Sequence, residues 1–393
     1  MGPNAVARGT TVTSRSRPDY DPLGVRLGGF RLHGSAEAGV GFSDDVAPNT
    51  MPGRSDGFVD NAFRLDLNSD WTRQALGITA SQAARQHIRS NDLNWNDFGV
   101  GFAGRYDIGR ASSVGFEYGH VRNHLDVTSF DVEQGSLTRP IPYDSDRVRL
   151  TGTAGLNRVA IRNAVEYSII RYDEEERTAF GTIGSGRDHN RLLGETEMAY
   201  SFVPGRAVTL TTRLTDINYR RSDRRGQDSF TWEVLGGVRY DLTGLWEVRF
   251  AAGYRHRDYQ DPTLRSLSGP AFEGQITYLP SQLTTFTLAA QRTIEESIRA
   301  DATSYTRTQI RFAVDHELRR NIILSGELRA ERLEYQSPSE KVTDAAGMIG
   351  LQFLINRNWS VWASYQRYER LEAPASTREF DQNVLQLRMK FAL

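Results

Sequence analysis

Charged side chains that recur at every second position are the residues whose type and spacing could do chemistry here. Arg147 and Arg149, and likewise Glu247 and Arg249, are each separated by a valine, so each pair falls on one face of an extended chain. Such a density of charge could not lie in a dry core, because an unpaired buried charge is very costly to desolvate. The pattern therefore predicts a wall that faces water, where ion pairs and hydrogen bonds act on a solute.

A wall of this kind is the candidate site. The charged residues that we predict to line an aqueous pore are Arg64, Arg105, Glu117, Arg147, Arg149, Arg162, Glu166, Glu195, Glu197, Arg213, Glu233, Arg239, Glu247, Arg249, Arg255, Arg307, Arg311, Glu327, Arg329 and Arg388. A different interpretation is that arginine and glutamate on neighbouring strands pair across the wall and keep it rigid. Acids and bases are nearly balanced, so their number predicts no strong ion selectivity.

Enzyme chemistry finds little support in the sequence. Seven histidines are present, but none forms an H-E-x-x-H pair or a clear triad with serine and an acid. Cysteine is absent, which removes thiolate nucleophiles, cysteine-type zinc sites and iron–sulfur clusters. With Lys+Arg at 48 and Asp+Glu at 49, the net charge of -1 lacks the basic excess of a nucleic-acid binder. We therefore expect no catalytic residue, no metal centre, no cofactor and no nucleic-acid partner.

The elements that carry these side chains are predicted to be β-strands. Apolar residues at every second position run through 230–240, 246–254 and 385–393, which is the periodicity of a strand with one apolar face. The same pattern recurs in about eighteen segments from Phe30 to the last residue. No apolar run approaches the roughly 20 residues of a membrane-spanning helix.

Short and long joints alternate between these segments. Turn-like joints fall at 157–158 and 204–205, for example, and longer polar joints such as 122–146 and 173–190 separate them. This alternation predicts an all-β protein, a transmembrane antiparallel up-and-down β-barrel with tight turns at one end and loops at the other. An even number of strands puts both termini at the tight-turn end, which is periplasmic in outer-membrane barrels. A propeller or a sandwich would not naturally give this order of joints.

The barrel is predicted to occupy 30–393, behind a polar segment at 1–29. A barrel of about eighteen strands is too wide for side chains to fill, so the apolar face must meet lipid and the polar face water. Trp71, Trp246 and Trp359 lie close to tight turns, where an aromatic girdle is expected. The first segment contains prolines and is predicted to be a periplasmic tail, a docking strap for a partner or a plug of the lumen.

The start of the barrel resembles that of a known family. Residues 17–30, RPDYDPLGVRLGGF, run into a first strand that ends in GVGFSDDV at 39–46. This block resembles the opening of the "putative β-barrel porin 2" family of outer-membrane proteins. The resemblance implies a channel in the bacterial outer membrane that exports a polysaccharide, of the exopolysaccharide or holdfast type, together with periplasmic export proteins. A passive diffusion porin for small solutes and a structural or adhesive surface barrel are the alternatives.

The longest predicted loop, 122–146, is the candidate for a constriction of the channel. It carries Phe130, Asp131, Glu133 and Tyr143. By analogy with the long third loop of general porins, it would fold inward and narrow the lumen. An exposed, mobile loop is the alternative.

Outer-membrane lipid and lipopolysaccharide are the expected surroundings of such a barrel. The four consecutive acids at 173–176 could collect divalent cations that bridge lipopolysaccharide phosphates. The alternative is an ordinary solvated run of acids, because no ligand spacing here fixes a metal geometry.

Overall fold

Antiparallel strands make up most of the computed structural model, which describes residues 9–46, 54–134, 139–173, 175–178, 181–242, 244–299, 301–375, 377 and 379–393. The strands are β1 (Val25–Leu27), β2 (Phe30–Ser43), β3 (Asp56–Ser69), β4 (Ala75–His87), β5 (Trp95–Ile108), β6 (Ser112–Leu125), β7 (Ile141–Leu156), β8 (Val159–Tyr172), β9 (Glu175–Thr178), β10 (Gly181–Gly184), β11 (His189–Val203), β12 (Arg206–Tyr219), β13 (Ser229–Leu242), β14 (Trp246–Tyr259), β15 (Leu267–Ser281), β16 (Thr284–Glu296), β17 (Ser304–Arg319), β18 (Ile322–Tyr335), β19 (Lys341–Leu354), β20 (Trp359–Glu372) and β21 (Asp381–Ala392).

Helical structure is confined to the loops. One α-helix, α1 (Phe130–Gln134), lies between β6 and β7, and short 3-10 helices cover Asn91–Leu93, Ser185–Arg187 and Ser222–Gln227. No helix in the described part of the chain is long and apolar enough to cross a membrane.

The strands close into a single barrel. The main sheet contains 19 strands, of which β1 is a short addition, so eighteen form the closed wall. Strand β21 pairs back onto β2, with Leu387 opposite Val40. Strand β8 pairs directly with β11. The β9–β10 hairpin forms a separate small sheet in the connection between these two strands. The predicted closed antiparallel barrel of about eighteen strands is therefore confirmed.

Tight turns and long loops lie at opposite ends, as the sequence predicts. Strands β7 and β8 are joined through Asn157, whose φ is 54°, and β11 and β12 through Gly205, whose φ is 79°. These left-handed conformations let two-residue turns match the twist of the strands. Strand β2 begins and β21 ends at this turn end, whereas the opposite end carries all the longer connections.

Apolar side chains face outward around the middle of the barrel. Val100, Phe102, Val148 and Leu150 are all exposed on the outer surface. A soluble protein would cover such a continuous apolar surface, whereas a bilayer provides its natural surroundings. Near the turn end, the ring of Trp246 stacks on a neighbouring tyrosine with centroids 4.0 Å apart, as expected of an interfacial aromatic girdle.

The faces exchange character near the loop end. On β12, Leu210 faces outward and is 48% exposed, whereas Ile217 and Tyr219 are buried on the inner face. Asp216 and Asn218 consequently face outward there. The inner surface at this end buries apolar residues such as Ile217 because loops pack against it, and Asp216 and Asn218 lie on the outer surface beyond the hydrocarbon layer.

Candidate functional site in the barrel lumen

The inner face of the barrel carries every charged residue that the sequence predicts for a pore. The strand registers put these residues on the side opposite to the exposed apolar residues. Arg213 on β12, for example, lies next to the outward-facing Leu214 and directly opposite Glu195 on β11 and Glu233 on β13. Arg64 on β3 faces inward in the same way.

One part of the wall is held by a network of ion pairs. Arg213 donates from Nε to Glu195 at 2.6 Å, from Nη1 to Glu233 at 2.8 Å, and from both terminal nitrogens to Glu273 at 2.9 Å. Arg255 pairs with the other side of Glu233. These contacts link the five strands from β11 to β15, so most of the charge on this wall is satisfied by the protein itself.

Other arginines on the turn-side half of the wall face open space. Arg149 donates to Glu166 at 3.1 Å, while Arg147 reaches the same carboxylate only at 3.9 Å. Arg162 and Arg249 are exposed to the lumen, and among the described residues no carboxylate lies within 4.0 Å of either. Their donors are available to water or to a solute.

The connection between β6 and β7 crosses the lumen with its described residues, 126–134 and 139–140; we call these residues the crossing loop. Phe130 is 1% exposed and packs with Leu333, Tyr335 and Val342, which face inward from β18 and β19 on another part of the wall. Asp131 accepts a hydrogen bond from the Tyr335 hydroxyl at 2.6 Å and another from a backbone N–H at 3.0 Å. Burial raises the pKa of the Asp131 carboxyl.

A buried arginine fastens the crossing loop to the wall. Arg370 on β20 donates from Nε to Asp344 on β19 at 2.8 Å and from Nη2 to the Thr128 carbonyl at 2.9 Å. The same guanidinium pairs with Glu133 in α1. The Arg370 side chain is wholly buried, so this latch holds the loop through contacts from which water is excluded.

Further loops meet the crossing loop at the same end. The Val132 side chain is buried against Ile141 and Ile298. Arg187 is 1% exposed and donates to the Ala302 carbonyl at 2.8 Å and to Gln227. These contacts join the connections after β8, β12 and β16, so the loop end contains a small packed core inside the barrel.

Three of the cavities among the described residues of the lumen border the groups named above. One of ≈400 Å³ lies beside the crossing loop and is lined by Trp95 and Gln386, among others. A second, of ≈580 Å³, lies against the wall that includes Arg213 and Tyr305. A third, of ≈630 Å³, lies towards the turn end and includes Arg162 in its lining. The crossing loop thus separates two spaces near the loop end, with a wider space below.

The segment 9–22 lies across the lumen at the turn end; we call it the strap. Val12 is 1% exposed, and its N–H donates to Thr285 on β16 at 2.9 Å. Arg17 forms a buried ion pair with Glu317 on β17 at 2.8 Å. A Cβ atom on Gly9 would lie 2.0 Å from Oε1 of Glu247 on β14, which shows how closely the strap follows the inner wall. It then leads into β1, which pairs with β2.

The family of the chain follows from its whole length. A family model described as "Putative beta-barrel porin 2" matches residues 17–393. The chain belongs to this family. It is therefore an outer-membrane β-barrel porin or channel, and its location is the bacterial outer membrane.

Solved structures with a similar fold include other outer-membrane barrels. The porin matches Acinetobacter baumannii OccAB2 with a TM-score of 0.50 and 10% identity, over 93% of this chain and 98% of that one. It matches a mutant of the ferric enterobactin receptor PfeA from Pseudomonas aeruginosa with a TM-score of 0.51 and 8% identity, over 92% of this chain and 80% of that one. At such identities the likeness shows the fold alone. Comparison with curated proteins gives no match.

The crossing loop of the porin is shorter than the predicted 122–146. Strand β6 continues to Leu125 and β7 begins at Ile141, so Tyr143 lies on a strand and not in the loop. The reason is the exchange of faces at this end: Ile141 and Tyr143 point inward under the loop while Asp144 points outward, which hides the usual alternation. Phe130, Asp131 and Glu133 lie in α1, inside the lumen.

The acidic run at 173–176 is described only in part. Asp173 pairs with Arg122 on the outer surface near the loop end. Glu174 lies outside the described residues, and the next two acids are described by their backbone in β9 alone. Among the described residues of the porin, no group of three or more His, Asp or Glu side chains could hold a metal ion. The predicted cation bridge stays a prediction.

The sequence predicted Glu133 of the latch, but it did not reveal Arg370 and Asp344 or the contacts of the strap. Arg370 and Asp344 lie at inward positions near the loop ends of β20 and β19, beyond the apolar residues whose period of two marks these strands. Arg17 was visible only as part of the polar segment before the barrel. The period of two is the signal that could have found Arg370, because it lies six residues after Ser364, which faces inward on β20.

Proposed function

We propose that this porin exports a polysaccharide from the periplasm to the cell surface. The observation that carries the proposal is the crossing loop, which spans an eighteen-stranded barrel and is fastened by Arg370 rather than built into the wall. A barrel of this size leaves an aqueous channel once its interior is free. A fastened loop can be released to admit a wide cargo and docked again to keep the membrane sealed.

We take the turn end to be periplasmic, because outer-membrane barrels have their short turns on that side. Both termini of the barrel would then lie in the periplasm. The strap would close the entrance, where periplasmic export proteins could displace it. The loop end, with the crossing loop, would form the exit at the cell surface.

Passage through this lumen needs no chemical step, and we propose no enzymatic activity. The inner wall combines hydroxyl groups, amides and ion pairs such as Arg311 with Glu327, whose closest atoms are 2.6 Å apart. Many weak contacts spread along a channel let a hydrated chain leave as readily as it enters. The charged wall residues would therefore guide the cargo without a deep binding well.

The proposal is tested by conductance across planar bilayers. The intact barrel is compared with a variant in which residues 127–139 are replaced by a short Gly-Ser linker. We expect low conductance from the intact protein and a large rise in the variant. The matched control shortens the loop between β14 and β15, residues 260–266, which contains no residue of the latch.

A diffusion porin for small solutes is the second candidate, because the family is described as porins and the charges of the lumen are balanced. High conductance of the intact barrel would favour it over export. No conductance in either form would favour a structural or adhesive barrel. In cells, loss of surface polysaccharide on deletion, with unchanged uptake of small solutes, is the result expected of an exporter.

A further inference from the structure

The turn-side cavity of the lumen is rich in arginine. Arg105 from β5, Arg147 and Arg149 from β7, and Arg162 from β8 line its ≈630 Å³. We call these four residues and the space between them the arginine recess. Glu117 from β6 is the acid in the same lining, so the charged side chains that face the space are mainly basic.

Two acids beside the lining of the recess, Glu166 and Glu197, are already engaged by other groups. Glu166 accepts from Arg149 at 3.1 Å and lies 3.9 Å from Arg147. Glu197 is the register partner of Arg162 on β11, but its carboxylate pairs with Arg239 on the other side. Arg162 is therefore left with an open donor group.

Arg105 and Glu117 differ from Arg147 and Arg162 in their partners. Arg105 is held by Asp107, 2.9 Å away on the same strand. Glu117 lies opposite Arg149 in the register, and no cation among the described residues approaches its carboxylate within 4.0 Å. The positive charge that faces the centre of the recess thus comes from Arg147 and Arg162.

Neutral donors complete the lining. The side chains of Ser113, Thr151 and Thr153 face the same space. A guanidinium binds a carboxylate through two parallel hydrogen bonds, and hydroxyl groups suit the hydroxyls of a sugar ring. The recess is also far larger than the roughly 30 Å³ that one water molecule occupies, so it has room for sugar units and not merely for a small anion.

We propose that the arginine recess binds the carboxylate groups of an acidic sugar chain, so that the cargo of this porin carries uronate-type units. The inference rests on the proposed export function and names its substrate class. Arg147 and Arg162 hold the carboxylates, and the neighbouring hydroxyls contact the ring. Both guanidinium groups are exposed, so water and salt weaken each contact and the chain can move on.

The test is isothermal titration calorimetry, in which a sugar oligomer is titrated into the barrel in detergent at low salt and its affinity is measured. The probes are an oligogalacturonate and a neutral malto-oligosaccharide of equal length. We expect the acidic oligomer to bind and the neutral one not to. Arg147→Gln with Arg162→Gln should weaken binding about tenfold or more, because the charged donors to the carboxylates are lost.

The control is Arg332→Gln with Arg367→Gln, which removes two exposed arginines from the outer face of the barrel, on β18 and β20. It should change the affinity less than twofold. Equal losses in the control and in Arg147→Gln with Arg162→Gln would overturn the site, as would equal binding of the neutral oligomer. Should Arg147→Gln with Arg162→Gln fail to give a folded barrel, the single variants Arg162→Gln and Arg162→Lys answer the same question.

Two further outcomes decide the nature of the ligand. Inorganic phosphate that competes at the same concentration as the oligomer, whatever the oligomer length, would show a simple anion site and overturn the sugar assignment. Calorimetry without binding, combined with loss of surface polysaccharide in a deletion strain, would reject the recess while leaving the export function intact. Binding without that loss would reject export and not the recess.

Discussion

The turn-side part of the lumen and its loop end are built on opposite patterns within the same strands. On β12, Leu210 meets lipid and Arg213 faces the channel. Further along the same strand, Ile217 is buried inside and Asn218 faces outward. The strand itself does not change. What changes is its surroundings: hydrocarbon outside and water inside in one part, water outside and packed loops inside in the other.

This difference separates two mechanical roles. The turn-side wall is wet, and its ion pairs keep a fixed surface around open space. The loop end is a small core, with Phe130 among apolar residues and a buried latch at Arg370. Under the proposed export function, a core of this kind would have a docked and a released state, whereas the hydrogen-bonded wall would keep one. We therefore expect gating at the loop end and guidance at the turn side.

The largest effect is expected at the latch. Arg370→Ala leaves Asp344 buried without its cation, and losing one partner of a buried ion pair costs about 3–5 kcal/mol. The docked state of the crossing loop should weaken by that order. The measurement is channel conductance together with amide hydrogen exchange of residues 126–134, and both should rise strongly.

The control for the latch is Arg367→Ala on the same strand. Arg367 faces outward and pairs with Glu369 at 3.3 Å, and both side chains are exposed. A surface pair of this kind contributes at most about 1 kcal/mol. Similar effects of the two variants on exchange in the crossing loop would contradict the role of the latch.

The second prediction sharpens the contrast between the two parts of one strand. Leu210→Arg puts a charge into the hydrocarbon layer. It should lower the free energy of unfolding of the barrel in vesicles by about 2–4 kcal/mol. Asn218→Arg, also outward but beyond that layer, should change it by about 0–1 kcal/mol. Urea titrations of both variants measure the difference, and equal losses would show that Asn218 also meets hydrocarbon.

The same contrast explains what the sequence could predict. Segments such as 246–254 were recognisable because lipid on one side and water on the other impose a period of two over about ten residues. The edges of the crossing loop were not, because the pattern reverses at Leu125 and Ile141. Glu133 and Arg370 of the latch lie 237 residues apart in the sequence, so no local pattern links them.

The third prediction concerns the other closure, the strap. Val12→Ala removes two buried methyl-sized groups, which at about 0.8 kcal/mol each weakens the seat of the strap by about 1.5 kcal/mol, or roughly tenfold in released population. Limited trypsin cleavage after Arg15, which is followed by Ser16, measures the release in the folded barrel. Leu23→Ala is the control, since Leu23 is 61% exposed and should leave the cleavage rate unchanged.

The smallest effect is a dependence of gating on pH. Burial raises the pKa of Asp131 in the docked loop, whereas release returns this carboxyl to water and to its ordinary value. Between the two values the docked loop binds more protons, so docking strengthens as the pH falls through that interval and weakens as the pH rises above it. Single-channel recordings should therefore show more frequent opening at neutral than at acidic pH. Asp131→Asn should flatten this dependence and Asp126→Asn, an exposed acid of the same loop, should not; an unchanged profile in Asp131→Asn would mean that another group titrates.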